Sequence, residues 1–135
     1  MSSRRSTTGP RLGIAAIALL VDAILVVVFA GIGRGSHARA ATIAGLFETA
    51  WPFLAGLAIV WLVAFVWRSP LAILRAGVPV WIGAVALGML FRMLSGQGTA
   101  LPFVIVATLT LALMLIGWRA IVAIVSKLRK RQQSA

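Results

Sequence analysis

The stretch LGIAAIALLVDAILVVVFAGIG, residues 12–33, decides the fold of this chain. It is apolar apart from one acid, Asp22. A helix rises about 1.5 Å per residue, so a run of this length crosses a hydrocarbon layer of about 30 Å. A strand of a transmembrane barrel would instead alternate apolar and polar residues, and this stretch does not. The stretch therefore predicts a membrane-spanning helix.

The composition of the whole chain agrees with a membrane location. Of the 135 residues, 61% are hydrophobic and 11% are charged, and the mean hydropathy is +1.07. Soluble domains have about 45–50% apolar and about 25% charged residues. A chain with so few charges cannot cover a water-exposed surface, which excludes a soluble globular protein. Cysteine is absent, which excludes a disulfide framework and a thiolate metal site.

Three further apolar runs follow the first one. The pattern predicts an all-α integral membrane bundle of four transmembrane helices in up-down order, with spans over 12–33, 49–67, 78–94 and 101–122. Two basic tails, residues 1–11 and 123–135, flank this domain of residues 12–122. Either Thr42 or Thr49 is expected to cap the start of the second helix, and Thr99 the start of the fourth.

The basic residues predict the orientation of the bundle. Ten of the 13 Lys and Arg residues fall in the tails, at the end of the fourth span and in the second connection, and three fall on the other side. Because cytoplasmic loops carry an excess of Lys and Arg, we expect both termini in the cytoplasm and the protein in the cell membrane. The C-terminal basic run is expected to contact anionic lipid headgroups through Lys127, Arg129, Lys130 and Arg131.

Asp22 is the most informative single residue of the chain. An ionised carboxylate in the middle of a bilayer costs about 2.5–3.5 kcal/mol on insertion scales, so Asp22 should face the bundle interior or be protonated. One interpretation is a proton- or cation-binding site. The other is a structural hydrogen bond or ion pair, either with Arg92 or with backbone and hydroxyl groups.

The first and third connections carry most of the remaining polar residues. In an up-down bundle both lie at the same end, and they supply a candidate outer polar cap of Arg34, Ser36, His37, Ser95, Gln97 and Thr99. Glycine-rich turns can point backbone N–H groups at an anion, with charge added by Arg34 and Arg92. The alternative is ordinary turn chemistry, with arginine side chains reaching toward headgroups.

Other classes of chemistry find little support. His37 is the single histidine, and a haem or zinc site needs more strong ligands than it offers. Ser95 has no candidate base in its span, so serine hydrolysis is unsupported. The cations flank apolar runs and do not form a stripe with interleaved aromatics, which argues against nucleic acid. We therefore expect no enzyme activity, no metal and no cofactor.

Several segments resemble those of a known family. These are DAILVVVFAGIGRGSH at 22–37, TAWPF at 49–53, RMLSGQGT at 92–99 and GWR at 117–119. They are similar to a small family of bacterial and archaeal membrane proteins, the domain-of-unknown-function family number 3054. The resemblance covers about residues 12–122, is most specific at 92–99, and excludes the basic tails. It implies a four-span membrane protein and supplies no activity.

Two functional hypotheses follow from these features. The first is a non-enzymatic membrane component or accessory subunit that packs against a partner membrane protein or a second copy. The second is a small proton- or cation-coupled transporter that uses Asp22, since its size and lone acid are similar to those of the small multidrug resistance transporters. The strong charge bias departs from that pattern, because it disfavours insertion in both orientations. A water-lined Asp22 favours transport, and a dry, satisfied Asp22 favours the component.

Overall fold

Four long helices make up most of the described part of the protein. The computed structural model describes residues 8–35 and 42–134, and no strand occurs in these two ranges. The helices are α1 (Thr8–Gly35), α2 (Ile43–Val63), α3 (Val78–Leu94) and α4 (Leu101–Gln133). Each contains or forms most of a segment that is long and apolar enough to cross a membrane. The prediction of an all-α membrane bundle of four helices is confirmed.

The helices form a ring in which each one runs antiparallel to its neighbours. The helix α1 packs against α2 and α4, and α3 packs against the same two helices from the opposite side. We call the end with the start of α1, the end of α4 and the second connection (residues 64–77) the tail end. The end with the first and third connections is the cap end. The cytoplasmic location of the tail end stays a prediction.

Helix α2 begins earlier and ends earlier than the predicted span. The Thr42 hydroxyl accepts a hydrogen bond of 3.0 Å from the Gly45 backbone N–H, so the helix starts before Thr49. It ends at Val63 because Phe65 adopts a left-handed backbone conformation, with φ of 52°. The chain then turns through a short 3₁₀ helix, and Val66 is buried beneath the bundle.

Helix α4 begins at Leu101, as the predicted span does, but it continues beyond the predicted end. Ala100, and not Thr99, occupies the N-cap position, and no side chain caps this helix. The helix continues through the basic tail for 33 residues in all, which is about 50 Å at 1.5 Å per residue. That length exceeds a hydrocarbon core of about 30 Å. The run with Lys127 therefore lies on a helical extension beyond the bundle.

The contact between α2 and α3 depends on glycine. An ideal Cβ on Gly83 would lie 2.5 Å from the Val60 Cβ, and one on Gly88 would collide with the ring of Phe53. Phe53 is fully buried and has no room to move aside. In lipid there is no hydrophobic driving force for two helices to associate. Van der Waals packing, made possible by small residues that let the backbones approach closely, is therefore a main source of their attraction.

Three phenylalanines close the bundle below the cap end. The rings of Phe29, Phe53 and Phe103 come from α1, α2 and α4, with centroids 5.3, 6.2 and 6.4 Å apart. Such spacings suit edge-to-face and tilted packing. This cluster separates the cap end from the middle of the bundle.

We predict that Gly83→Ala and Gly88→Ala each destabilise the protein, whereas Gly117→Ala does not. The added methyl groups overpack the interface of α2 and α3, at an expected cost of about 1–3 kcal/mol. A Cβ on Gly117 meets no atom within 4 Å, so this variant is the matched control. Unfolding in detergent measures the effect, and equal stability of all three variants would contradict the packing argument.

Candidate functional site

Asp22 lies on the buried stripe of α1. Its neighbours on that stripe follow at intervals of three or four residues, the spacing that keeps side chains on one face of a helix. They are Ala15, Ala18, Val26, Phe29 and Ala30. Asp22 itself is 0% exposed. The same periodicity that buries the apolar residues thus carries one carboxylate into the bundle.

The carboxylate of Asp22 accepts four hydrogen bonds. Its Oδ1 accepts from Arg119 Nη1 at 2.8 Å and from Trp118 Nε1 at 2.8 Å. Its Oδ2 accepts from Arg119 Nη2 at 2.7 Å and from Trp61 Nε1 at 3.0 Å. Two parallel bonds between a guanidinium and a carboxylate form the strongest type of charge-assisted pair. With two N–H donors on each oxygen, the site matches an ionised carboxylate, which is an acceptor only.

Arg119 is equally buried and equally satisfied. Its side chain is 0% exposed. Besides the two bonds to Asp22, Nε donates to the Pro70 carbonyl and Nη1 to the Leu115 carbonyl, both at 2.8 Å. The Arg119 side chain passes over Gly77, where an ideal Cβ would lie 3.2 Å from Arg119 Cδ. A small residue here leaves the room that the long side chain needs.

The expected pairing of Asp22 with Arg92 is wrong. Arg92 lies in the last turn of α3 at the cap end, and α3 stands diagonally across the ring from α1. Its guanidinium donates to the Gln97 side chain at 3.0 Å and to the Gly98 carbonyl at 3.2 Å. It also stacks on the Phe103 ring, 4.2 Å from the centroid.

Arg119 was counted among the basic residues at the tail end, because it stands close to the predicted end of the fourth span. Its burial lowers the number of basic residues available at the tail end from ten to nine. The signal that could have found it is its place within an apolar run, since an intramembrane cation needs a partner and Asp22 is the acid inside the spans. The indole N–H of Trp61 as a donor to Asp22 was not predicted.

This arrangement joins three helices and the second connection, and it leaves no polar atom of Asp22 or Arg119 exposed to solvent. Asp22 and Trp118 belong to α1 and α4, Trp61 belongs to α2, and Pro70 belongs to the second connection. Five cavities in the described part of the chain are lined by neither Asp22 nor Arg119, and Trp61 lines one of them. We call this group of Asp22, Arg119, Trp61 and Trp118 the polar centre.

Part of the expected outer polar cap comes together at the cap end. Helix α3 ends in a turn in which the Gly96 N–H donates to the Met93 carbonyl and the Gln97 N–H to the Arg92 carbonyl. This is the Schellman arrangement, and the positive φ of 75° at Gly96 is what it requires. The Gln97 amide then donates to the Glu48 carbonyl of α2 at 3.2 Å. The turn thereby joins α3 to α2.

The other expected cap residues differ in their surroundings. Arg34 Nη1 donates to the Thr49 hydroxyl at 3.1 Å, which ties the end of α1 to the start of α2. The Ser95 hydroxyl donates to the Arg92 carbonyl at 3.1 Å, an ordinary end-of-helix contact. Thr99 lines neither cavity described below. Ser36 and His37 lie outside the described residues.

Two further expectations concern metals and lipid. In residues 8–35 and 42–134, no three His, Asp or Glu side chains come close enough to hold a metal ion. The basic residues expected at headgroups are exposed on the extension of α4, namely Lys127, Arg129, Lys130 and Arg131.

We predict that Asp22 is energetically coupled to Arg119 and not to Arg92. Removing one partner of a buried pair leaves an uncompensated charge, so Asp22→Asn and Arg119→Gln should each cost about 3–5 kcal/mol. The double variant should cost clearly less than the sum. With Arg92→Gln as the second substitution, the costs should add to within about 0.5 kcal/mol. Additive costs for Asp22 and Arg119 would refute the pair.

We predict that the two indoles of the polar centre contribute more to the free energy of unfolding than the indole of Trp81, whose hydrogen-bond partner is uncharged. Trp61→Phe and Trp118→Phe each remove a hydrogen bond to a carboxylate and should cost about 1.5–3 kcal/mol. Trp81→Phe removes a bond of 2.9 Å to the Thr108 carbonyl and should cost about 0.5–1.5 kcal/mol. Unfolding in detergent gives all three values. The same cost for all three would argue against a special role of the carboxylate.

Comparisons with known proteins identify a family and add no activity. No curated protein matches the chain, and no solved structure does. One family model, described as Protein of unknown function (DUF3054), matches residues 19–122. This match covers the polar centre and the cap turn of α3, and it leaves out both basic tails. The chain therefore belongs to the DUF3054 family of proteins of unknown function.

Proposed function

We propose that the protein is a non-enzymatic component of the cell membrane, with both termini in the cytoplasm, which works by packing against a partner membrane protein or a second copy of itself. The observation that carries this proposal is the fully buried Asp22, whose carboxylate accepts four hydrogen bonds. Its carboxylate stabilises the arrangement of three helices and one connection. A rigid bundle of this kind suits a subunit that presents a fixed surface.

The polar centre disfavours the alternative of a coupled transporter. Coupling needs a carboxylate that exchanges a proton or cation with water on each side in turn. Asp22 would first have to lose its bonds to Arg119, which would leave a buried charge without its partner. The phenylalanine cluster also lies between Asp22 and the cap end. Both features oppose a path for ions through the bundle.

The exposed faces support a lipid or protein environment. Large apolar side chains project from all four helices, for example Ile17, Leu62, Ile82 and Leu113, which is 75% exposed. In a bilayer such faces meet lipid tails or the helices of another protein. The basic extension of α4 fits anionic headgroups at about 1 kcal/mol per charge. This charge supports a cytoplasmic tail end.

Flux measurements separate the two functions. We expect proteoliposomes with the wild-type protein to show no proton or cation flux above empty liposomes under an imposed pH gradient. Arg75→Gln removes an exposed charge and serves as the control for Asp22→Asn. Wild-type flux that persists in the control and is lost in Asp22→Asn would establish the transporter and overturn the proposal.

The packing role has its own test. Photo-crosslinkers placed at the exposed Leu62 and Leu113 should capture a defined protein band, either one partner or a second copy. A crosslinker at the fully buried Leu111 is the matched control and should capture none. Labelling of lipid alone from both exposed positions would contradict a packing role.

A further inference from the structure

A cavity of about 400 Å³ lies at the cap end, above the phenylalanine cluster. Its walls include Arg34, Thr49, Arg92 and Gln97, and its apolar part includes Phe29 and Phe103. A more polar cavity of about 290 Å³ adjoins it and shares the first four of these residues. The volume lies within the range of about 300–1,000 Å³ that is typical of ligand sites.

The position of Arg92 is set by the end of its own helix. The turn that stops α3 places the Gln97 side chain and the Gly98 carbonyl against the guanidinium, at 3.0 and 3.2 Å. The Phe103 ring supports it from the side of α4, at 4.2 Å. An arginine held in this way loses little conformational entropy when it binds an anion. Its planar fork suits phosphate and carboxylate.

Arg34 brings a second guanidinium to the same cavity from another helix. It projects from the last turn of α1, and its bond to the Thr49 hydroxyl holds it across the start of α2. The one carboxylate among the residues that line the adjoining cavity is Glu48, which is exposed. Two arginines and one acid leave an excess of positive charge at this end.

The apolar part of the cavity restricts the ligand further. Phe29 is buried and belongs to the phenylalanine cluster, so the inner wall cannot hydrate a charged group. A small inorganic anion would use the arginines and leave this wall empty. A ligand with an anionic head and an apolar part would cover both kinds of wall.

We propose that the cap-end cavity binds an amphiphilic oxyanion. Its phosphate or carboxylate pairs with Arg34 and Arg92, and its alkyl or aryl part packs on Phe29 and Phe103. An anionic phospholipid and a free organic anion share this chemistry.

Binding by the full-length protein in neutral detergent tests the site. Decyl phosphate should bind and raise the melting temperature, whereas decanol and inorganic phosphate, each with one half of the chemistry, should bind at least tenfold more weakly. Arg34→Gln and Arg92→Gln should each weaken decyl phosphate binding at least tenfold. Arg75→Gln, which removes a charge at the tail end, should leave it unchanged. Equal binding of decanol, or an equal loss in Arg75→Gln, would overturn the proposal.

Chemical protection of the wild-type protein gives a second measurement that needs no variant. Phenylglyoxal modifies arginines, and decyl phosphate should slow the modification of Arg34 and Arg92 but not of Arg75, as followed by peptide mass spectrometry. Unchanged rates at Arg34 and Arg92 would refute the site. Protection by dihexanoyl phosphatidylglycerol, but not by dihexanoyl phosphatidylcholine, would identify a phospholipid as the ligand. Protection by decyl phosphate alone would indicate a free organic anion.

Discussion

The pair of Asp22 and Arg119 is the constraint on which the rest of the structure depends. Both side chains are fully buried, and an unpaired charge at such a place would cost several kcal/mol. The indoles of Trp61 and Trp118 donate the other two hydrogen bonds to the Asp22 carboxylate, and the Pro70 carbonyl accepts one from the Arg119 guanidinium. These partners come from three helices and one connection, so the charges are stabilised only when all of these elements are in place. The pair thereby favours one arrangement of helices that are otherwise almost entirely apolar.

The two polar regions of the bundle differ in what they can do. In the polar centre each carboxylate oxygen has two donors, and no room remains for a ligand. At the cap end, Arg34 and Arg92 line a cavity of about 400 Å³. The phenylalanine cluster lies between the polar centre and this cavity. A rigid centre and a ligand-sized cavity are together consistent with a component whose packing surface is stabilised, or adjusted, by a bound amphiphile.

The sequence predicted some of these features and did not predict others. It identified Asp22 as the buried acid, since its position inside an apolar run is a local fact. It left Arg92 as one candidate partner, because spacing along the chain does not show which helices are diagonal in the ring. It did not show that helix α4 continues past the fourth span, because the basic run marks the end of the apolar stretch and not the end of the helix. The residues that line the cap-end cavity could not be predicted, because they depend on the turn after α3, whose Gln97 contacts α2.

The sequence by itself determined that four apolar helices cross a membrane, because hydropathy and helix length are local properties matched to the thickness of the bilayer. It also determined that one acid must be satisfied inside the bundle, since lipid offers a carboxylate no hydrogen bonds. Only the tertiary structure decided that Arg119, Trp61 and Trp118 satisfy it, and that Arg34 and Arg92 line one cavity. Those contacts join residues far apart in the chain, and they depend on how the helices are ordered and rotated when they pack.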